Sequence, residues 1–204
     1  MTVTLNNVDM ATVLGIQFPS RTSVTAANHT GSQPSAIAVA KIGTLTTRTD
    51  ANTGELTMAA SHGITTGARL DLYWDGGSRR GITVGTVATN AVPIDLGAGD
   101  DLPTNNTAIT AMVPTEEAFV VTGSNVTALL VYSDVAGQVT FCLTDDTEVV
   151  SYSVGGGSTD DQSYVWTTAR DATNPLAASA VTKVYFSHGS SSSTATMKAI
   201  ALHD

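Results

Sequence analysis

Apolar and β-branched residues follow one another along this chain in short alternating runs, and turn residues interrupt the runs about every 8 to 12 positions. Alternation with a period of two places successive side chains on opposite faces of a strand. In Arg69-Leu-Asp-Leu-Tyr-Trp74 it puts Leu70, Leu72 and Trp74 on one face. Asp75-Gly76-Gly77 then reads as a tight hairpin turn. The return strand is read over residues 81–88, with Ile82, Val84 and Thr86 sharing a face. Further strands are expected over 44–49, 55–59, 92–96 and 107–113. Six strands or so in this stretch suggest a small antiparallel β-barrel.

Pro114-Thr-Glu-Glu117 reads as a boundary, because proline ends a strand and two charges follow. Beyond it, Val126-Thr-Ala-Leu-Leu-Val-Tyr132 is apolar on both faces, as a central strand would be. Strands over 138–143, 148–154, 164–166, 181–187 and 194–202 complete a second unit. That count fits a jelly-roll or immunoglobulin-like sandwich. Residues 1–40 show little sustained periodicity and read as an extended arm. The arm keeps Val8, Val13, Leu14, Ile16 and Phe18, which a solvated tail would not need, so it is expected to pack on its own body or on a neighbour. The expected architecture is therefore all-β: an extended N-terminal arm (1–40), a small antiparallel β-barrel (41–113) and a C-terminal β-sandwich (114–204).

Composition sharpens this. Charged residues make up 13% of the 204 positions, and Thr with Ser about a quarter, which does not suit coiled coils or charge-rich disorder. The net charge of -9 argues against nucleic acid or an anionic membrane as partner. Arg79-Arg80 is too small a basic cluster to change that and reads as a solvated hairpin end. The chain shows no signal-peptide pattern and no apolar stretch of spanning length, so a cytoplasmic origin is expected.

Candidate chemistry is sparse. Cys142 lies in an apolar run and reads as a buried, inert thiol. His29, His62, His188 and His203 lack metal-ligand spacing, and His62 before Gly63 reads as a turn residue whose ring caps a backbone group. No Gly-X-Ser-X-Gly elbow is present. The acidic pairs at 100–101, 116–117, 145–146 and 160–161 read as solvated charges rather than facing catalytic acids. Loops 97–101 and 155–161 offer oxygen ligands for Ca²⁺ without matching an EF-hand, so no cofactor is expected. Tyr73, Trp74, Tyr164 and Trp166 are candidates for a sugar-stacking platform, with at least one of each pair expected in the core.

The stretch His62-Gly-Ile-Thr-Thr-Gly67, with Leu70-Asp-Leu-Tyr-Trp74, Asp75-Gly-Gly77 and Gly81-Ile-Thr-Val84, resembles small β-modules of tailed-phage and prophage virion proteins. The loop at Asn174-Pro-Leu176 before the strand over 181–187 is similar to accessory virion proteins as well. The resemblance implies a non-enzymatic structural subunit, either a capsid decoration protein or a tail, baseplate or fibre component. It implies localisation in the virion after release by lysis, with copies of itself and other virion proteins as partners. It carries over no catalytic residue. The rival expectation is a carbohydrate-binding module or adhesin that recognises a host-surface glycan.

Overall fold

The computed structural model describes residues 23–28, 36–97, 101–122, 126–155, 163–176 and 179–203. Among them all fifteen elements are strands. They are β1 (Ser23–Asn28), β2 (Ala36–Ile37), β3 (Lys41–Arg48), β4 (Thr53–Met58), β5 (Arg69–Trp74), β6 (Gly77–Thr83), β7 (Ala91–Asp95), β8 (Ala108–Met112), β9 (Thr115–Thr122), β10 (Val126–Ser133), β11 (Gly137–Cys142), β12 (Glu148–Val154), β13 (Ser163–Thr167), β14 (Ala180–His188) and β15 (Ala195–His203).

Residues 41–112 form one six-stranded antiparallel sheet in the order β6-β5-β8-β3-β4-β7. It curls into a half-barrel. Its two outer strands approach where Gly85 donates its N–H to the Pro93 carbonyl at 3.0 Å. The concave side holds Leu45, Leu56, Leu70, Leu72, Val92 and Ile109, all essentially inaccessible to solvent. Leu70 and Leu72 point inward as their alternation requires, which sends Asp71 and Tyr73 out through the opposite face.

The turn after β5 is shorter than its three-residue signal suggests. Trp74 pairs directly with Gly77, leaving Asp75-Gly76 as the loop, with Gly76 at φ 84°. The return strand therefore starts at Gly77, and Arg79 and Arg80 lie within it rather than at a solvated hairpin end. A bulge between Leu70 and Leu72 corrects the register, with Gly81 at φ 67° as its left-handed residue. Ile82 and Val84 are still buried, but Thr86 lies beyond the strand and is exposed.

The remaining strands build a two-sheet sandwich. One sheet has the order β1-β15-β10-β13, with β2 also pairing with β15. The other has the order β12-β11-β14-β9. Except for the β11–β12 hairpin, every consecutive pair from β9 to β15 switches from one sheet to the other. Counting β1 with β9–β15 gives eight strands arranged 1-8-3-6 and 5-4-7-2, the two interlocked Greek keys of a jelly roll. That settles the choice between jelly-roll and immunoglobulin-like topology. The six-stranded unit is an insertion between the first and second jelly-roll strands. Within the stretch read as an arm, β1 pairs along its length with β15, from Ser23 opposite His203 to Asn28 opposite Lys198.

The sandwich core is built on Phe119, Phe141, Phe186, Leu129, Val139 and Met197. Phe119 and Phe141 meet edge-to-face with centroids 5.0 Å apart. The opposite face of β10 and β15 is also apolar and buried at Leu130, Ile200 and Leu202, which accounts for the two-sided apolar pattern of residues 126–132. Glu116 and Glu117 do not mark a linker, because both lie within β9. Among the described residues no helix is long and apolar enough to cross a membrane.

Candidate functional site

The half-barrel meets the outer face of the sheet β12-β11-β14-β9, and the chemistry-bearing side chains of the described residues gather at that junction. On β14, Val184 and Phe186 turn into the sandwich core, so Lys183, Tyr185 and Ser187 face the other way. On β5, Arg69, Asp71 and Tyr73 point out of the half-barrel toward them. Ser187 donates its hydroxyl hydrogen to Asp71 Oδ2 at 2.5 Å. That single hydrogen is then used, so the Tyr73 hydroxyl, 2.6 Å away, is the donor to Ser187 Oγ. Asp71 Oδ1 accepts the N–H of the bulge glycine Gly81 at 2.8 Å. Asp71 thus ties the bulge of the half-barrel to the sandwich.

Asp71 and Ser187 are 2% and 1% exposed. Burial holds the Asp71 carboxyl above the usual aspartate range, against the opposing pull of Ser187, Gly81, Arg69 and Arg80. Burial, followed by the nearby Asp71 charge, pushes the Tyr73 phenol up as well. Ser187 is bonded to both a carboxylate and a phenol of β5, and so clasps β14 to β5.

A second cluster lies beside the first. The Arg69 guanidinium sits 4.6 Å from the centroid of the Tyr185 ring. The Tyr185 hydroxyl reaches Asp146 at 2.6 Å and Glu116 at 3.0 Å. Lys183 Nζ lies 2.7 Å from Asp146 Oδ1 and holds its carboxyl below the usual range. Asp146 occupies a left-handed position in the β11–β12 turn at φ 66°, and its carboxylate meets Lys183 and Tyr185 of β14. Of the acidic pairs, then, Glu116 and Asp146 are engaged with Tyr185 rather than simply solvated. Arg80 completes the seam with an ion pair to Glu148 at 3.1 Å.

Next to this seam a cleft of about 500 Å³ opens between the β5–β6 hairpin and the sandwich, lined by Tyr73, Ser78, Gln138, Ser153 and Ser190 among others. A neighbouring hollow of about 370 Å³ shares Tyr73 and Gly189 with it and adds Ile42, Trp74 and Asp75. On its other side a polar recess of about 300 Å³ shares Ser78 and is lined by Arg79, Arg80 and Glu148.

No protein-family model matches this chain, and no curated protein or solved structure matches it.

The four aromatics read as a glycan platform do not form one. Tyr73 and Trp74 border the clefts, whereas Trp166 is 4% exposed within the sandwich core and Tyr164 stacks on Tyr152 with centroids 4.0 Å apart. The candidate arm residues Val8, Val13, Leu14, Ile16 and Phe18 lie outside the described residues, and both candidate Ca²⁺ loops lie largely outside them. Among the described residues no three His, Cys, Asp or Glu side chains group to hold a metal ion. Cys142 is buried, and burial pushes its thiol up to about 11. His62 Nδ1 accepts the Ile64 N–H at 3.0 Å while Nε2 donates to the Thr89 carbonyl at 2.9 Å, so its ring caps the turn as expected. His188 repeats the arrangement with Ser190 N–H at 3.3 Å and the Ala38 carbonyl at 2.8 Å. The junction residues Asp71, Ser187 and Gln138 were missed because each is an ordinary polar position in an alternating strand. The one available signal was an acid between two core leucines.

Proposed function

We propose that this chain is a non-enzymatic structural subunit of a tailed-bacteriophage virion, a capsid decoration protein or a tail, baseplate or fibre component. The observation that carries the reading is the architecture: a jelly roll with a second β-unit inserted after its first strand and clasped to its outer sheet. Jelly rolls recur in viral shells because two mutually covering sheets bury a shared core and need no disulfide to stay folded. The polar groups at the junction bond to one another, which suits a fixed joint better than a reacting centre. The resemblance of residues 62–84 to virion β-modules points the same way. In this reading the residues before β1, with Val8, Val13, Leu14, Ile16 and Phe18, dock on a neighbouring subunit, and β1 belongs to the chain's own sandwich.

The test is quantitative mass spectrometry of phage particles purified by density banding from a lysate that expresses the chain. A stoichiometric presence in the particle band is expected. Its absence from that band while it accumulates in the soluble lysate overturns the proposal. Particles assembled with a chain lacking residues 1–22 are expected to lose it, while the truncated chain keeps its β-sheet circular dichroism.

A further inference from the structure

The outer face of the sheet β1-β15-β10-β13 is buried, although no described strand is stacked on it. Alternation turns Leu129, Val131, Ala199 and Ala201 into the sandwich core, so Leu130, Ile200 and Leu202 face the other way. The register sets Leu130 beside Ile200 and Ala128 beside Leu202, which makes one continuous apolar stripe. An open stripe of this kind would leave its large side chains partly wet. Instead Leu130, Ile200 and Leu202 are 7%, 5% and 2% exposed. They belong to neither apolar core, and the half-barrel is clasped to the opposite sheet. The cover extends to the end of the stripe. There Lys198 Nζ stands 4.8 Å over the Tyr132 ring, and burial holds its ammonium below the usual lysine range.

We propose that residues 1–22 are stowed across this face in the free chain, a seat that the segment leaves when it docks on a neighbour. Of the stretches outside the described residues, 29–35, 98–100, 123–125, 156–162 and 177–178 contain no Val, Leu, Ile, Met, Phe, Tyr or Trp. Residues 1–22 contain Val8, Met10, Val13, Leu14, Ile16 and Phe18 among others, with Asp9 as their single acid. They run directly into β1, the edge strand of this same sheet, at Ser23 opposite His203. An extended segment of that length reaches at most about 70 Å, whereas the four strands span about 15 Å, so length does not limit the crossing. Apolar segment on apolar stripe is favoured by the burial that also builds the core, and it leaves the free chain without a large sticky patch. The seat does not depend on the virion reading: particle composition tests one, and proximity within the free chain tests the other.

The experiment attaches a nitroxide at position 17, through Gln17→Cys, to the ¹⁵N-labelled full chain, in which Cys142 is buried and stays unmodified. Amides of β10 and β15 are expected to lose intensity at least twofold more than those of β11 and β14 in the opposite sheet. In an equal mixture of ¹⁵N-labelled chains without nitroxide and unlabelled chains with it, no such loss is expected. Adding Ile16→Asp and Phe18→Asp to the nitroxide chain is expected to abolish the loss and leave the remaining spectrum in place, because carboxylates are costly on an apolar stripe. Intensity loss no greater in β10 and β15 than in β11 and β14 overturns the proposal. So does a loss of equal size in the mixture, which would put a neighbour's segment in the seat. Persistence of the loss in the chain carrying both aspartates also overturns it.

Discussion

Ser187 on β14 donates a 2.5 Å hydrogen bond to Asp71 on β5, across 116 positions of sequence and across the seam between the two β-units. The bond sits at the centre of a relay from the Tyr73 hydroxyl through Ser187 to Asp71 and on to the Gly81 N–H. The half-barrel and the sandwich have separate apolar cores, so this relay and the Arg69–Tyr185 contact carry much of the coupling between them.

Removing the middle of the relay leaves both ends buried and short of a partner. Ser187→Ala is expected to destabilise the protein by about 2–3 kcal/mol, the usual cost of a buried group left unsatisfied. Calorimetry is expected to show one unfolding transition in the wild type and a broadened or split one in the variant. A melting profile identical to the wild type's would remove the clasp from the account.

The Asp71 carboxyl, held above the ordinary 3.8 by burial, gives a signed pH dependence. Below 3.8 the group is protonated in both folded and unfolded chains. As pH rises, the unfolded chain releases its proton first and stability falls, until the folded carboxyl ionises too and the loss levels off. Each unit of upward displacement corresponds to about 1.4 kcal/mol. Asp71→Asn is expected to abolish this fall, so its urea midpoint gains on the wild type as pH rises from 3.8 through the raised value. A gap between the two that stays constant across that window would contradict the assignment. Asp146, held low by Lys183, acts in the opposite sense in both proteins and loses its contribution as pH falls below 3.8.

Gly189 lies against the Tyr73 ring, and a Cβ there would stand 2.8 Å from Tyr73 Cγ. Tyr73 is held by Ser187 and cannot move aside without breaking the relay. Gly189→Ala is expected to cost about 1–3 kcal/mol through overpacking, and Gly189→Val more. Thermal melting checks this, and an unchanged midpoint for the valine variant would count against the contact.

Cys142 is buried, with its thiol pushed up to about 11. At neutral pH it is therefore neither accessible nor ionised. Ellman's reagent is expected to leave the native protein unmodified and to titrate the thiol once concentrated guanidinium unfolds it. Rapid labelling of native protein would show that β11 opens on its own.

The positions of most strands were legible because alternation is local: Leu70 and Leu72 announce their face without reference to anything distant. What alternation cannot convey is what lies beyond the other face. Asp71 lies on that other face and meets a serine far along the chain. Glu116 and Glu117 read as a boundary because a strand that faces Tyr185 and Lys183 looks, in sequence, like charge after a proline. Arg79 and Arg80 were placed at a hairpin end because Asp75-Gly76-Gly77 reads as a three-residue turn, whereas Gly77 already pairs with Trp74 and the strand starts there. Jelly-roll and immunoglobulin-like sandwiches share strand lengths and turn signals, so only the pairing separates them. The clefts are made by juxtaposed units, and no single segment encodes them.

The place of β15 in its sheet also sets an order of events. It comes last in chain order among the strands, yet it lies between β1 and β10 rather than at an edge. During synthesis β1 emerges early and has no partner until β15 appears. The six-stranded unit between them has all its strands within residues 41–112 and closes on itself well before then. The insertion therefore behaves as a folded spacer that keeps β1 tethered beside the growing sandwich. The sheet that holds β1 and β10 on either side of β15 is therefore complete only once the last strand of the chain order is available.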